Sequence, residues 1–473
     1  MLIGREKEKN ILLEALSAKS SQFVAVYGRR RVGKTYLVRE TLKKHFVFEH
    51  TGLAEGSRED QLESWQSSLR AYGLRNASRA KTWIEAFDQL KLIIKASRRT
   101  RKVVFIDEIP WLETPRSRFM AALEHFWNGW ASERTDVVLV VCGSASSWIV
   151  GRLINNYGGL HNRLTAKIYL QPFSLRECEQ YLKSRHIAMN RYSIIECYMI
   201  LGGIPYYWSF IKPGLSVAQN IDQLCFDPVG QLVGEYRALY ASLFRNPAPY
   251  MVVVAVLASR RIGLTREQIV AATQIANNGM LTQVLDNLIY CGFVRKYYQP
   301  DCRRKNAIYQ LIDPFTIFHL QFMAKNSQQD IHYWTNKLES PERHAWNGLA
   351  FERVCIMHVE QIKRALNIAG VASSAYAWIA PPTEDGRRGA QVDLLIDRDD
   401  NVINLCECKF SRQPYLLTLG DEQNLANKIE RVSQDVAKHK SILITLVAPY
   451  GVEKNAYSDV IQSVVSADDL FAV

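Results

Sequence analysis

Several familiar signals are missing from this chain, and each absence narrows what it can be. No pair of cysteines has zinc-ligand spacing, and the count of nine is odd. Cys142, Cys178, Cys197, Cys225, Cys291, Cys302, Cys355, Cys406 and Cys408 are dispersed, several of them in apolar runs. That excludes a disulfide framework and reads as reduced, mostly buried thiols of a cytoplasmic protein. No uninterrupted apolar run reaches the length of a membrane span, so no membrane partner is expected. The opening residues Met1-Leu2-Ile3-Gly4-Arg5-Glu6 do not read as a signal peptide. Internal repeats and low-complexity segments are also lacking. Acidic residues are in deficit, 47 against 59 Lys plus Arg, for a net charge of +12. A basic excess suits a nucleic-acid partner, and it equally suits a solvated basic surface. At 473 residues the chain is too long for one compact domain.

The most informative segment present is Gly28-Arg29-Arg30-Arg31-Val32-Gly33-Lys34-Thr35-Tyr36. Its first eight residues fit G-x-x-x-x-G-K-[ST], the phosphate-binding loop of nucleoside triphosphatases. A short apolar strand over 23–27 precedes it and a helix over 36–44 follows, the order the motif requires. The two glycines let backbone N–H groups turn toward phosphates. Lys34 is placed to reach the β- and γ-phosphates of ATP, and Thr35 offers a hydroxyl to Mg²⁺. Downstream, Val103-Val104-Phe105-Ile106-Asp107-Glu108 is an apolar run ending in two acids, as a buried parallel strand with function at its carboxyl end would. Asp107 is the candidate Mg²⁺ ligand and Glu108 the candidate general base. A third run, Val137–Val141, leads to Cys142, Gly143 and Ser144. Ser144 either meets the γ-phosphate or attacking water, or only caps the next helix.

These features predict an α/β multidomain protein. Residues 1–172 form a P-loop ATPase core with a mostly parallel sheet, and 173–245 a helical lid broken at Gly202-Gly203-Ile204-Pro205. Residues 246–315 carry three helical segments and a hairpin, the pattern of a winged helix-turn-helix with a recognition helix near 278–290. Arg303, Arg304 and Lys305 fall where a wing tip would meet a phosphate backbone. Such modules also serve protein contacts, and this recognition helix is poor in basic residues. Residues 316–341 read as a helical connector. Residues 342–473 read as a last α/β domain, with a helix over 345–367, a helix over 419–439, and strands at 441–447 and 460–465.

That last domain contains a second chemical constellation. Val392–Asp397, a turn, and Val402–Phe410 read as a hairpin, in which residues two apart face one side. Glu407 and Lys409 then point together, with Asp393 across from them. Asp393 and Glu407 could bind Mg²⁺ through oxygen, and Lys409 could orient or deprotonate a water. Glu352, on the preceding helix, could project into the same site. The alternative is a structural ion network in which Lys409 and Arg353 neutralise the carboxylates.

Taken with Leu2–Glu6, Asn162-Arg163-Leu164 and Gln171-Pro172-Phe173, the N-terminal motifs resemble the archaeal-type ATPase family, a relative of the AAA+ and STAND ATPases. The resemblance implies ATP binding by Gly28–Thr35, Mg²⁺ and hydrolysis roles for Asp107 and Glu108, and Ser144 as a γ-phosphate sensor. Arg163 matches an arginine that acts on a neighbour's phosphate in a homo-oligomer, or else is a salt-bridge partner. The C-terminal domain is similar to PD-(D/E)XK nucleases, whose core Asp393, Glu407 and Lys409 match, with Glu352 as the helical acid. Together these imply ATP and Mg²⁺ as cofactors, DNA as a partner, and an ATPase coupled to a nuclease-like domain. Two rivals are a signalling ATPase that acts on protein partners without nuclease activity, and a DNA-binding regulator that uses the winged helix alone.

Overall fold

A computed structural model describes residues 2–76, 78–144, 146–154, 160, 162–299, 307–384, 386–437 and 439–472. The chain divides into two compact units, Met1–Pro172 and Phe173–Val473.

The first unit is built on five strands, β1 (Gln22–Tyr27), β2 (Phe46–Thr51), β3 (Lys102–Asp107), β4 (Val137–Gly143) and β5 (Ala166–Tyr169). They run in the order β2-β3-β4-β1-β5, and every pairing is parallel. Helices cover a parallel sheet on both faces, so its central strands need apolar side chains on both sides. This is why β3 and β4 read as unbroken apolar runs, and both are buried along their whole length. Trp65, Trp83, Phe87 and Phe119, from three of the covering helices, pack together; Trp65 and Trp83 meet edge to face at 5.4 Å. Because β4 lies between β1 and β3, the loop after β1 and the acids ending β3 share one end of the sheet. Ligands of open α/β folds bind at that end.

The second unit begins with helices Leu175–Ser184, Arg191–Leu201, Val217–Cys225 and Glu235–Leu243. Helices Ala248–Ala258, Arg266–Thr273 and Gly279–Tyr290 follow, with an antiparallel sheet β6-β8-β7 made of β6 (Leu264–Thr265), β7 (Val294–Tyr297) and β8 (Ile308–Leu311). Arg303, Arg304 and Lys305 lie outside the described residues. Helices Pro314–Gln321 and Tyr333–Asn336 lead to the last layer. There β9 (Ser373–Ala380), β10 (Ala390–Arg398), β11 (Val402–Cys408), β13 (Ser441–Val447) and β15 (Ser463–Val465) form a mixed sheet, ordered β15-β13-β11-β10-β9. The short β12 (Tyr415–Leu416) and β14 (Val452–Glu453) pair separately.

Three elements differ from the sequence expectation, one of them the helix expected over 419–439, which ends at Asp435. The helix expected over 345–367 is split into Pro341–Met357 and Val359–Ala365. His358 sits at the break; its Nδ1 is 2.8 Å from the Val354 carbonyl and its Nε2 accepts from the Leu175 N–H at 3.1 Å. A side chain that bonds the carbonyl four residues back offers the backbone an alternative to continuing the helix. The last strand starts at Ser463 rather than 460, because Ser458–Val460 is taken up in a 3-10 turn.

Candidate functional site

The strand β1 delivers the chain into Gly28, whose φ of +146° and closeness to β5 exclude a side chain; a Cβ there would lie 2.3 Å from the Leu170 carbonyl oxygen. The loop returns at Gly33, φ +93°, which starts the helix Lys34–Leu42. Arg29 and Val32 are buried, Arg30 and Arg31 partly so, and Tyr36 is exposed. The Lys34 ammonium is buried and donates to the carbonyls of Gly28 (3.1 Å) and Arg29 (2.8 Å) and to Ser144 Oγ (3.1 Å). A lysine held across its own loop, beside the N-terminus of a nine-residue helix, concentrates positive potential where phosphates would lie.

The acids meet this loop directly. Thr35 Oγ1 donates to Asp107 Oδ2 at 2.7 Å, so the expected pair of Mg²⁺ ligands is adjacent. Burial raises the Asp107 carboxyl, with the Thr35 hydrogen bond opposing. A divalent cation beside this pair would replace the missing solvation with hard-oxygen coordination, so the donor set fits Mg²⁺. Glu108 adopts a left-handed conformation, φ 46° and ψ 44°, sparsely populated for a residue with a side chain. The twist turns its carboxylate onto Ser144, accepting from Oγ at 2.6 Å and from the backbone N–H at 3.1 Å. Ser144 Oγ therefore stands between Lys34 and Glu108. Arg163 is exposed, and its side chain makes no ion pair among the described residues.

In the second unit the hairpin forms as expected. Leu394 pairs with Cys406 across β10 and β11, and one step further along lie Asp393 and Glu407. The pairing of β10 with β9 slips between Val392 and Leu395. An irregularity of this kind re-aims side chains, and Asp393 lies within it. Glu352, Asp393 and Glu407 are all buried, and Cys406 and Cys408 face the core.

Sequence reasoning named Lys409 but missed the other two cations that hold these acids, Arg261 and Lys428. Arg261, on the turn before β6, forks onto Glu352 (Nε to Oε2, 2.7 Å) and onto Asp393 Oδ1. Gln391 also accepts from Arg261 Nε and Nη1 at 2.8 Å, with its amide oxygen turned to the guanidinium. Lys428, on the helix Leu419–Asp435, donates to Glu407 Oε2 at 2.6 Å, and Lys409 lies 3.2 Å from Oε1. Arg353, expected to neutralise the acids, favours the Glu352 carboxylate through its charge but donates its hydrogen bond to the Leu349 carbonyl at 3.2 Å. Lys428 did carry a signal, as a charge on the same helix face as Leu425 and Val432, all three buried. Arg261 had none.

The electrostatics follow from burial. Asp393 is pushed up to about 7 by burial and by the charges of Glu352 and Glu407. Burial alone would lower Lys409, but Glu407, Tyr415 and Asp421 outweigh it and push the ammonium up to about 12. A lysine this basic stays charged, which suits orienting a water better than deprotonating one. Three clustered carboxylates need a positive charge among them, and the guanidinium bridging Glu352 and Asp393 stands in for one. By donor chemistry the set fits a hard divalent cation. As the side chains lie, no group of three or more His, Cys, Asp or Glu among the described residues is arranged to hold a metal ion. No helix among them is long and apolar enough to cross a membrane.

Residues 2–209 match the family described as an ATPase domain predominantly from Archaea. An uncharacterized protein of Methanocaldococcus jannaschii is 23% identical over 412 residues, 85% of each chain. Among solved structures, a Walker-type ATPase of Pyrococcus abyssi is similar at 19% identity and TM-score 0.48, over 68% of this chain and 96% of that one. The ORC2 protein of Aeropyrum pernix in ADPNP–ADP complexes is similar at 13% identity and TM-score 0.41, over 72% and 96%. The N-terminal part of this chain thus matches an archaeal-type ATPase domain, and it has the parallel sheet and phosphate-binding loop that such a domain requires.

Proposed function

We propose that this protein hydrolyses ATP at the Gly28–Thr35 loop and couples its nucleotide state to a Mg²⁺-dependent, nuclease-like C-terminal domain acting on DNA. The observation that carries the ATPase half is the continuous chain Lys34–Ser144–Glu108, with Thr35 joined to Asp107. Lys34 and the loop amides bind the phosphates, with Arg29, Arg30, Arg31, Val32 and Tyr36 flanking them. Mg²⁺, held by Thr35 and Asp107, would supply charge neutralisation at the β- and γ-phosphates. Ser144 bonds the γ-phosphate beside Lys34. That draws its hydroxyl from Glu108 and frees the carboxylate to accept a proton from the attacking water. Exposed Arg163 is suited to a neighbour's phosphate, which would make hydrolysis depend on a homo-oligomer.

For the second unit, the meeting of Glu352, Asp393, Glu407 and Lys409 supports the nuclease-like reading. Asp393 and Glu407, with Glu352, would hold Mg²⁺, which would supply Lewis acidity at a phosphodiester, and Lys409 would orient the water. The three helices and small sheet over 248–311 fit a winged helix that docks DNA, with residues 173–245 as the lid that reports nucleotide state. The domain limits are those of the sequence analysis.

One observation favours a second reading. Glu352, Asp393 and Glu407 each have a basic partner, as a structural ion network would. On that reading the protein is a signalling ATPase acting through protein partners. Incubation with plasmid DNA and Mg²⁺ or Mn²⁺ separates the two. Cleavage lost in Glu407→Ala supports the nuclease; ATP turnover with no cleavage under any condition supports the signalling ATPase.

A further inference from the structure

Arg261 lies between two spaces in the second unit. On one side is the closed pocket of Glu352 and Asp393. On the other is an open cleft of about 870 Å³, running between the turn at Ser259–Gly263, the helix Arg266–Thr273 and the edge of β9 at Ile379. Arg261 and Gln391 line both spaces. Among the described residues, the charged ones along the cleft are Arg260 and Arg261; its other polar walls are neutral, Gln268 and Gln299 among them. A groove with arginines and no carboxylate among its described lining residues favours a polyanion.

The backbone that carries Arg261 is fixed. Gln310 Nε2 donates to the Arg261 carbonyl at 2.6 Å, and the Tyr297 hydroxyl donates to the Ile262 carbonyl at 2.8 Å. Gly263 follows at φ +102°, where a Cβ would lie 2.3 Å from the Tyr309 carbonyl oxygen. The turn cannot shift without breaking these contacts, but the side chain is 37% exposed and has room on the cleft side. Arginine matches carboxylate and phosphate alike through the same planar fork.

We propose that Arg261 is a latch. Its guanidinium excludes a divalent cation from Glu352 and Asp393 until a nucleic-acid phosphodiester in the adjoining cleft draws it away. The proposal rests on the reading of these carboxylates as metal ligands. It explains why acids suited to a divalent cation are bound to a monovalent one: the structure shows the closed arrangement. Nucleic acid and metal then bind with positive cooperativity, since each favours the displaced arginine. A metal that must first displace the latch binds more weakly by the fraction of open molecules.

The test is Mn²⁺ binding to the full chain, read by electron paramagnetic resonance. Only the Mn²⁺ lost in Glu407→Ala is counted, which subtracts the nucleotide site. Wild type, Arg261→Ala and Arg261→Lys are titrated alone, with a short phosphorothioate duplex, and with inorganic phosphate at equal phosphate concentration. The latch predicts that Arg261→Ala alone binds Mn²⁺ at least about tenfold more tightly than wild type. The duplex should bring wild type to the same affinity, leave Arg261→Ala unchanged, and not be replaced by inorganic phosphate. Arg261→Lys, a point charge without the fork, should fall between and carries the test if Arg261→Ala does not fold. Equal affinity in wild type and both variants overturns the latch and leaves the metal site standing. Inorganic phosphate acting as well as the duplex overturns the nucleic-acid trigger. No Glu407-dependent Mn²⁺ in any variant overturns the metal reading itself.

Discussion

The acidic clusters of the two units use the same residue types and are held in opposite ways. In the first unit Asp107 and Glu108 end a strand and bond to hydroxyls and backbone amides, Thr35 and Ser144 among them. These are weak, exchangeable partners, and a phosphate and its metal can take their places. In the second unit Glu352, Asp393 and Glu407 bond to full charges, Arg261, Lys428 and Lys409, from separate elements. Buried ion pairs stabilise little when intact and cost much when one partner is removed. On the proposed function, the first cluster is ready for a ligand and the second must be opened.

Substitutions should break this contrast differently in the two units. The largest effect belongs to Lys34→Ala, which should cut ATP turnover by about a thousandfold while the melting temperature barely moves. Calorimetry and phosphate release check both halves. Glu108→Gln should retain ATP binding, measured with a fluorescent analogue, and lose about a hundredfold in turnover. In the second unit the effect shifts to stability. Lys428→Met leaves Glu407 buried with Lys409 alone, and denaturant unfolding should show a loss of about 3 kcal/mol. Pairing it with Glu407→Gln should restore most of that loss.

The pH dependence sharpens the same contrast. Burial lowers His358 to about 4 from an ordinary 6.5. Between those values the unfolded chain takes up a proton that the folded chain refuses. Stability from this group is therefore complete above about pH 6.5 and falls as the pH drops toward 4, by about 3 kcal/mol at most. His358→Gln should make that limb of a stability–pH curve shallower without removing it, because burial also lowers His50 and His319 to about 4. Ser144→Ala is the smallest change expected, about tenfold in turnover, because Lys34 still meets the phosphate.

How much was legible in the sequence follows the same division. The nucleotide site is local: Gly28 to Thr35 is one turn, and Asp107 and Glu108 end one strand, so motif and periodicity reveal it. What the sequence could not reveal is the left-handed twist at Glu108 that sets its carboxylate on Ser144. In the second unit the two-residue period of β10 and β11 placed Asp393, Glu407 and Lys409 together. Of the partners of those acids, Lys409 was legible and Arg261 was not. Arg261 lies 91 residues from Glu352 and 132 from Asp393, and only tertiary packing brings them within a hydrogen bond. Arg353, adjacent in sequence to Glu352, was the natural candidate, yet it turns to its own helix backbone.

The central claim is that the nucleotide site governs the carboxylate site, and the most direct measurement is the DNA cleavage rate as ATP is titrated into wild type, Lys34→Ala and Glu108→Gln. The account predicts that wild type responds to ATP, that Glu108→Gln responds to binding without turnover, and that Lys34→Ala does not respond at all. Cleavage that is Glu407-dependent but identical in all three proteins at every ATP concentration would contradict it.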